Sequence, residues 1–338
     1  MRRSHGGKVI GLWWAVVGLS FAQIPIADAA TKIRLHLNWF PMGYHVGFFS
    51  AMDKGLYARE GLEVEAISGE GSGVSMKGVA TRVAEVGITD AGTAVIGRSR
   101  GLKVKMVGMF YDRNPMVIYV LKGSGIRTPK DLVGKTLAAP VGSALRVVFP
   151  AFARSSGIDP QSVKWLTVTP AAQPVTLATK KADGVPTYII NLPALEKAAS
   201  QVGEEVAYMW YSDYGLDIYG LAVISSEQWM RTNPDLLRRF LKASYEGIRW
   251  AMEHPAEGIE MFLKRRPALD RASTLRTWSI AQTLMITPVS KKHGLGYMDR
   301  EKMKLTRDII AKFEGVKGTV ELEDLYTNDF LPGIFPPK

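Results

Sequence analysis

The sequence predicts an α/β protein of two lobes, each with a parallel-rich sheet flanked by helices, joined by hinge crossovers. Three observations favour this class. Strand-like and helix-like runs alternate through the first two thirds of the chain, which is typical of parallel sheets covered by helices. The 338 residues are enough for two lobes rather than one. Segments 111–119 and 214–223 fit an outward and a return crossing between lobes that close like a hinge.

The first 29 residues have the pattern of a secretory signal peptide. Arg2, Arg3 and Lys8 precede an apolar run over 9–26, and small residues follow with cleavage expected near Ala29. Polar and proline residues interrupt the run, which disfavours a permanent membrane span. We expect ordinary secretion rather than the twin-arginine route, and a mature protein in the bacterial periplasm.

Composition excludes several classes of function. The chain has no cysteine, so disulfides, thiolate metal sites, a cysteine nucleophile and a lipid anchor at the cleavage site are excluded. The five histidines are dispersed, and we therefore expect neither a metal nor another cofactor. The formal net charge is +11, but the basic residues are scattered. This pattern predicts a solvated surface and no nucleic-acid partner. We also expect a monomer.

The first lobe is predicted to contain residues 30–115 and 220–338. Its strands are expected over 32–37, 62–67, 86–88, 104–110 and 219–224, and its early helices over 47–55, 75–82 and 91–101. Further helices are expected over 233–252, from 255, and over 269–284 and 299–313. The apolar stripes of these later helices are typical of core rather than of a cofactor site.

The second lobe is predicted to span 116–219. Its strands are expected over 116–121, 136–139, 163–167, 184–190 and 206–211, its helices over 144–156 and 174–181, and a helical first turn over 129–133. This region also alternates strand with helix, so its sheet is expected to be covered in the same way.

Polar and aromatic side chains follow the ends of predicted strands in both lobes. In open α/β sheets, ligands bind in the crevice beyond the carboxyl ends of the strands. Flat rings with polar groups suit a small ligand, and no catalytic residue is indicated, so we expect a binding protein rather than an enzyme. The candidate ligand-binding residues are Asn38, Trp39, Tyr44, His45, Ser72, Asp90, Tyr111, Ser143, Tyr188 and Asn191.

Several of these residues also have a purely structural explanation. Trp39 can be a core residue, and His45 can be the first residue of a helix. Ser72, within the glycine-rich run 69–73, can either cap a helix or hold a ligand oxygen at the helix N-terminus. Asp90 is expected to cap the next helix rather than to contact the ligand. The sequence leaves the first three alternatives open.

The run N-W-F-P-M-G-Y-H-V-G-F-F-S-A-M-D-K-G-L-Y-A-R-E-G-L-E-V-E (38–65) resembles the opening of NMT1/THI5-like (SsuA/THI5-like) solute-binding proteins. The resemblance continues through G-E-G-S-G (69–73), A-E-V-G-I-T-D (84–90) and I-R-T-P-K-D-L-V-G-K-T-L (126–137), and reaches at least residue 240. It implies the type 2 periplasmic-binding-protein fold. It also implies a small-molecule ligand and, as partner, the membrane permease of an ABC importer.

The same resemblance implies roles for individual residues. In the pyrimidine-binding branch, the matching tryptophan and histidine lie at the ligand site, so these roles would fall on Trp39 and His45, with Asn38 supporting the turn. The eukaryotic synthase branch also uses a histidine, which His45 matches, together with a cysteine-rich iron motif. This chain has no cysteine, which makes it unlike a synthase.

The sulfonate and nitrate branches of the family imply anionic ligands. The aromatic candidates Trp39, Tyr44, Tyr111 and Tyr188 favour instead a small aromatic or heteroaromatic solute, pyrimidine-like and of the thiamine-precursor type, captured by cleft closure. Three alternatives remain: a sulfonate, nitrate or other small organic anion as the ligand, an exported pyrimidine-modifying enzyme on the same fold, and a sensory receptor subunit.

Overall fold

The structure, a computed structural model, describes residues 1–2, 6, 30–314 and 320–337. The predicted signal peptide lies almost entirely outside the described residues. In chain order, the strands β1–β10 are Thr31–His36, Leu62–Ile67, Val86–Asp90, Val104–Met109, Met116–Leu121, Thr136–Ala138, Lys164–Leu166, Gly184–Tyr188, Val206–Trp210 and Leu221–Ser226. The helices α1–α15 are Val46–Asp53, Leu56–Arg59, Ser72–Ala80, Ala91–Ser99, Ala144–Val147, Phe149–Ser155, Gln173–Ala178, Leu192–Ser200, Glu227–Thr232, Pro234–Glu253, Pro255–Arg265, Arg271–Met285, Pro288–His293, Arg300–Glu314 and Leu322–Leu325.

The strands form two separate five-stranded sheets, in the orders β2-β1-β3-β10-β4 and β7-β6-β8-β5-β9. We call each sheet, with the helices that cover it, the first lobe and the second lobe. Strand β1 runs parallel to β2 and β3, and β6 runs parallel to β7 and β8. Within each sheet, the carboxyl ends of these strands therefore meet at one edge. The predicted α/β class with parallel-rich sheets is confirmed.

Each sheet also contains a strand that runs against its neighbours. Strand β10 is antiparallel to β3 and β4, and β5 is antiparallel to β8 and β9. These are the strands that the chain enters after each passage between the lobes. The two passages lie side by side, since the Gly220 N–H donates to the Tyr111 carbonyl at 3.1 Å. These two passages correspond to the crossovers that the sequence predicts as a hinge.

The long C-terminal helices behave as their sequence pattern predicts. Helix α10 buries Leu237, Phe240, Leu241 and Ile248 and packs on α1, so its apolar stripe is core. Helix α12 contacts short 3-10 turns of both lobes, one before α1 and the other after β8. Helix α14 packs on α4 of the first lobe and α6 of the second lobe. These two helices therefore bridge the lobes.

Local structure differs from the predictions in a few places. The helix predicted over 144–156 is divided into α5 and α6, because Pro150 has no N–H to continue the helical hydrogen bonds. Strand β3 includes Thr89 and Asp90, where the sequence places its end. Helices α9 and α13 are six residues each, too short for a clear apolar period. In the described part of the chain, no helix has the length and apolarity needed to cross a membrane.

Candidate ligand-binding site

A narrow cavity lies between the two lobes at the carboxyl ends of their strands. Seven of the predicted residues line it: Asn38, Trp39, Tyr44 and Ser72 from the first lobe, and Ser143, Tyr188 and Asn191 from the second. Gly71, Ala144, Leu145 and Thr187 complete the lining. The atom-free space is about 270 Å³, but the centre of a water molecule can occupy only about 10 Å³ of it. The lobes are therefore tightly closed.

The turn after β1 is held together by its own polar side chains. The Asn38 Oδ1 accepts hydrogen bonds from the Tyr44 hydroxyl at 3.2 Å and from the His45 Nε2 at 3.4 Å. The Met42 N–H donates to the His45 Nδ1 at 3.2 Å, which requires the proton of the neutral imidazole to be on Nε2. Burial lowers the pKa of His45 to about 3, so this ring is uncharged at neutral pH.

Trp39 and His45 are both predicted ligand-site residues, but only Trp39 lines the cavity. Trp39 is 8% exposed, lines the cavity and stacks on Phe40 with ring centroids 6.2 Å apart, so it both packs and faces the cleft. His45 is fully buried and lies outside the cavity lining. In this structure His45 positions Asn38 and the turn.

The glycine-rich loop before α3 forms one of the contacts between the first lobe and the second. The Ser72 Oγ lies 3.5 Å from the Tyr188 hydroxyl across the cavity, and the Gly73 N–H donates to the Gly142 carbonyl at 3.0 Å. The Ser72 side chain makes no capping hydrogen bond, so the alternative of a capping serine is wrong. Gly71 has a φ of 151° and a ψ of 156°, a conformation almost restricted to glycine.

Asp90 ends β3 and caps α4, as expected, but only one of its oxygens is used. The Oδ1 accepts from the Thr93 N–H at 3.0 Å, whereas the buried Oδ2 has no hydrogen-bond partner among the described residues. Burial raises the pKa of Asp90 to about 7. The buried Tyr111 hydroxyl also lacks a partner there, and its ring lies 6.2 Å from that of Tyr44.

The second lobe contributes an aromatic ring and several polar groups. Tyr188 ends β8, and the Asn191 Nδ2 donates to the Thr187 Oγ1 at 2.8 Å. Ser143 precedes α5 without capping it through its side chain. Sequence reasoning missed Thr187, since side chains alternate along a strand and Thr187 would face away from the side of Tyr188. The cavity lining contains no lysine, arginine or histidine.

A larger, open groove lies at the outer side of the hinge. It has about 1440 Å³ of atom-free space, and its lining includes Asp112, Trp210, Asp217 and Lys302. We assign the ligand site to the narrow cavity instead, because residues that follow β1 and end β8, one strand from each sheet, converge there. Within the described residues, no group of three or more histidine and acidic side chains could hold a metal ion.

Asp90→Asn is expected to stabilise the protein without ligand at pH 8. A carboxyl whose pKa is raised on folding favours the folded state when protonated, so its ionisation costs stability as pH rises from about 4 to 7. After subtracting the cost of a buried unpaired amide, we expect a gain on the order of 2 kcal/mol in the free energy of unfolding. Urea unfolding at pH 8 and pH 4 measures this. An equal gain at pH 4, or a loss at pH 8, would contradict it.

Comparison with known proteins gives relatives with several named activities. The chain is 26% identical to riboflavin-binding protein RibY of Chloroflexus aurantiacus, covering 89% of this chain and 86% of that protein. It is 25% identical to a formylaminopyrimidine-binding protein of Halalkalibacterium halodurans, covering 95% and 98%. It is also 25% identical to a 4-amino-5-hydroxymethyl-2-methylpyrimidine phosphate synthase of Legionella pneumophila, covering 91% and 94%.

Solved structures and a family match identify the fold and the family. The alkanesulfonate-binding protein SsuA from Xanthomonas axonopodis pv. citri, solved with MOPS bound, superposes with a TM-score of 0.68 at 14% identity. The match covers 88% of this chain and 98% of that one. Similarity at this identity is one of fold, and it confirms the predicted periplasmic-binding-protein fold. The model of the family described as NMT1/THI5 like matches residues 42–258. More than half of the sequence is thus matched, and the chain belongs to the NMT1/THI5-like family.

Proposed function

We propose that this protein is the periplasmic substrate-binding subunit of an ABC importer and captures a small aromatic or heteroaromatic solute by cleft closure. The observation that carries the proposal is the composition of the cavity. It combines the rings of Trp39, Tyr44 and Tyr188 with hydroxyl and amide groups from both lobes and contains no basic side chain. Flat rings and a few placed polar groups are suited to a flat ligand.

The proposed lobes are residues 30–115 with 220–338, and residues 116–219. The ligand would enter when the lobes part, and Tyr188 would turn away from Ser72 to make room for the ring. Trp39 would stack on the ligand from one side. Ligand binding then favours the closed state through its greater affinity for it. A membrane permease would receive the closed, monomeric protein.

Two relatives support this class of solute by their names. One is named for riboflavin, whose ring system is flat and heteroaromatic, and the other for a formylaminopyrimidine. A sulfonate or nitrate ligand fits the cavity less well, because no lysine or arginine in its lining would balance the anion. We propose direct ligand contacts for the predicted residues other than His45, which would position Asn38.

The test is ligand binding by a panel of probes. Riboflavin, 4-amino-5-hydroxymethyl-2-methylpyrimidine, ethanesulfonate and nitrate are each added, and the shift in melting temperature and the heat of binding are measured. We expect binding of at least one of the ring compounds, with a smaller radius of gyration by X-ray scattering. Trp39→Phe should weaken it about tenfold by reducing the stacking surface. Trp250→Phe, which changes a half-buried tryptophan on α10, serves as control.

The proposal would be contradicted if only ethanesulfonate or nitrate binds, or if neither ring compound binds. The synthase names of some relatives add one further measurement, product formation from the bound pyrimidine. We expect none, because His45 is fully buried and its two ring nitrogens are engaged inside the turn. Turnover that His45→Ala abolishes while ligand affinity is kept would favour an enzyme instead.

A further inference from the structure

Two buried polar atoms beside the cavity have no hydrogen-bond partner in the described part of the chain. They are the Asp90 Oδ2 and the Tyr111 hydroxyl. Buried polar groups in folded proteins are nearly always paired, so such atoms call for an explanation. Asp90 has already committed its Oδ1 to the cap of α4. Its Oδ2 is therefore the acceptor that remains available for a ligand.

Both side chains neighbour residues of the cavity lining, although neither lines the cavity itself. Asp90 interacts electrostatically with Tyr188, and Tyr111 interacts with both Tyr44 and Tyr188. Tyr44 and Tyr188 line the cavity. The ring of Tyr111 is also stacked on Phe110, which fixes its orientation, with centroids 4.6 Å apart. The Asp90 carboxyl group thus neighbours Tyr188, and the Tyr111 hydroxyl neighbours both of the tyrosines between which a ligand would lie.

The chemistry of these atoms restricts what can bind. Above pH 7, where the carboxyl group of Asp90 is ionised, its oxygens only accept hydrogen bonds, so the missing partner of the Oδ2 is a donor. Neither the lining nor the interactions of Asp90 include a basic side chain, and a ligand anion would meet an unbalanced negative charge. A ligand that donates an N–H, or that carries a positive charge on a ring nitrogen, satisfies the Oδ2 directly.

We propose that Asp90 determines the specificity of the cleft by accepting a hydrogen bond from an amino group or a protonated nitrogen of a heteroaromatic ligand. The inference rests on the proposed function and adds the chemical feature that the ligand must present. The Tyr111 hydroxyl completes the site as a second polar contact. Ligands that offer only acceptors, such as sulfonates or fully alkylated rings, are rejected by the unpaired carboxylate.

Binding is expected to depend on pH as well. Burial raises the pKa of Asp90 in the free protein, and an N–H donor favours the ionised carboxylate, so ligand binding releases a proton. Affinity should therefore fall by up to about tenfold per unit as pH drops below 7. Of the titratable groups beside the cavity, Tyr188 interacts with Asp90, and burial raises the pKa of this tyrosine, so it stays neutral in this range.

The test uses a matched pair of probes that differ in one amino group. These are 4-amino-5-hydroxymethyl-2-methylpyrimidine and 5-hydroxymethyl-2-methylpyrimidine, titrated calorimetrically at pH 8 and pH 6. In the wild type, we expect the amino compound to bind at least tenfold more tightly at pH 8 and to lose this advantage at pH 6. The Asp90→Asn variant should bind the amino compound at least tenfold more weakly, because the amide N–H of the new asparagine would face the amino group of the ligand. The pH dependence of binding should also disappear.

Asp270→Asn is the matched control. Asp270 also caps a helix, with its Oδ1 accepting from the Ser273 N–H at 2.8 Å, but it lies on the surface. This variant should bind both probes as the wild type does. Equal binding of the two pyrimidines, or unchanged binding by Asp90→Asn, would overturn the inference alone and indicate that water satisfies the Oδ2. If riboflavin and both pyrimidines fail to bind, the proposed function is contradicted together with this inference.

Discussion

Gly71→Ala is expected to weaken ligand binding about ten- to a hundredfold and to leave the lobes apart in the presence of ligand. A Cβ at this position would lie 2.2 Å from the Gly142 carbonyl oxygen and 2.7 Å from the Ser143 nitrogen, both backbone atoms of the second lobe. Backbone atoms cannot move aside as a side-chain end can. The added methyl group therefore prevents the Gly71 loop of the first lobe from contacting the Gly142 loop of the second.

The conformation of Gly71 adds to this effect. Its φ of 151° and ψ of 156° fall in a region that costs an alanine about 1–3 kcal/mol. Part of this strain would lower the stability of the whole fold, and part would be relieved only if the loop shifts away from Gly142. X-ray scattering with and without the riboflavin and pyrimidine probes separates these effects, because a change in stability alone leaves the ligand-induced compaction intact.

Gly73→Ala provides the matched control for this loop. Gly73 lies in α3, and its Cβ would be 3.4 Å from the Gly142 carbonyl oxygen, an ordinary contact. Alanine also favours the helix over glycine by roughly 1 kcal/mol. Gly73→Ala should therefore close and bind as the wild type does. Normal affinity and compaction in Gly71→Ala would show that the contact between the two loops is not needed for binding.

His45→Gln is expected to make the protein more resistant to acid. Folding lowers the pKa of His45 from about 6.5 to about 3, so between these values the unfolded chain binds more protons than the folded one. Stability supplied by the neutral ring is therefore lost as pH falls below 6.5, by about 1.4 kcal/mol per unit. Over two units, this amounts to a loss on the order of 3 kcal/mol in the wild type.

Asp90 has the opposite effect in the same range of pH. Its pKa is raised to about 7 in the folded state, so its protonation adds stability as pH falls toward 4. In the wild type the two slopes oppose each other. We therefore expect Asp90→Asn to expose the acid sensitivity of His45, and the double variant with His45→Gln to remove both contributions.

Urea unfolding at pH 7.5, 6 and 4.5 measures these slopes. The comparison is the difference between variant and wild type at each pH, since other carboxyl groups contribute equally to both. His45→Gln loses the acceptor of the Met42 N–H and is expected to be less stable at pH 7.5, but its stability should fall less steeply. His254→Gln, at an exposed position after α10, is the control. Parallel slopes for His45→Gln and wild type would contradict the prediction.

Much of the fold could be predicted because its signals are local. Alternating strands and helices predicted the two sheets, and polar and aromatic residues at strand ends predicted seven residues of the cavity lining. The position of Thr187, one of the lining residues that were missed, depends on a break in regularity. Thr187 and Tyr188 are neighbours on β8 and would face opposite sides in a continuing strand, but the chain turns into a 3-10 helix at Ile189, so both line the cavity.

The position of His45 could not be read from the sequence for a related reason. A single 3-10 turn, Gly43–His45, carries both Tyr44 and His45, and its spacing does not determine which ring faces the cleft. The hydrogen bonds to Asn38 and Met42 decide it. The unpaired Asp90 Oδ2 was equally hidden, because a capping aspartate has the same sequence pattern whether or not its second oxygen is used.

The place of β10 between β3 and β4 has a consequence for the order in which the protein can be built. The five strands of the second sheet follow one another in the chain. The first sheet is complete only when β10, which follows β4 by about 110 residues, has been added. A growing chain therefore exposes the facing edges of β3 and β4 until residues 221–226 have been synthesised. The part of the molecule that is made first is completed last, and until then its unfinished sheet is available to chaperones.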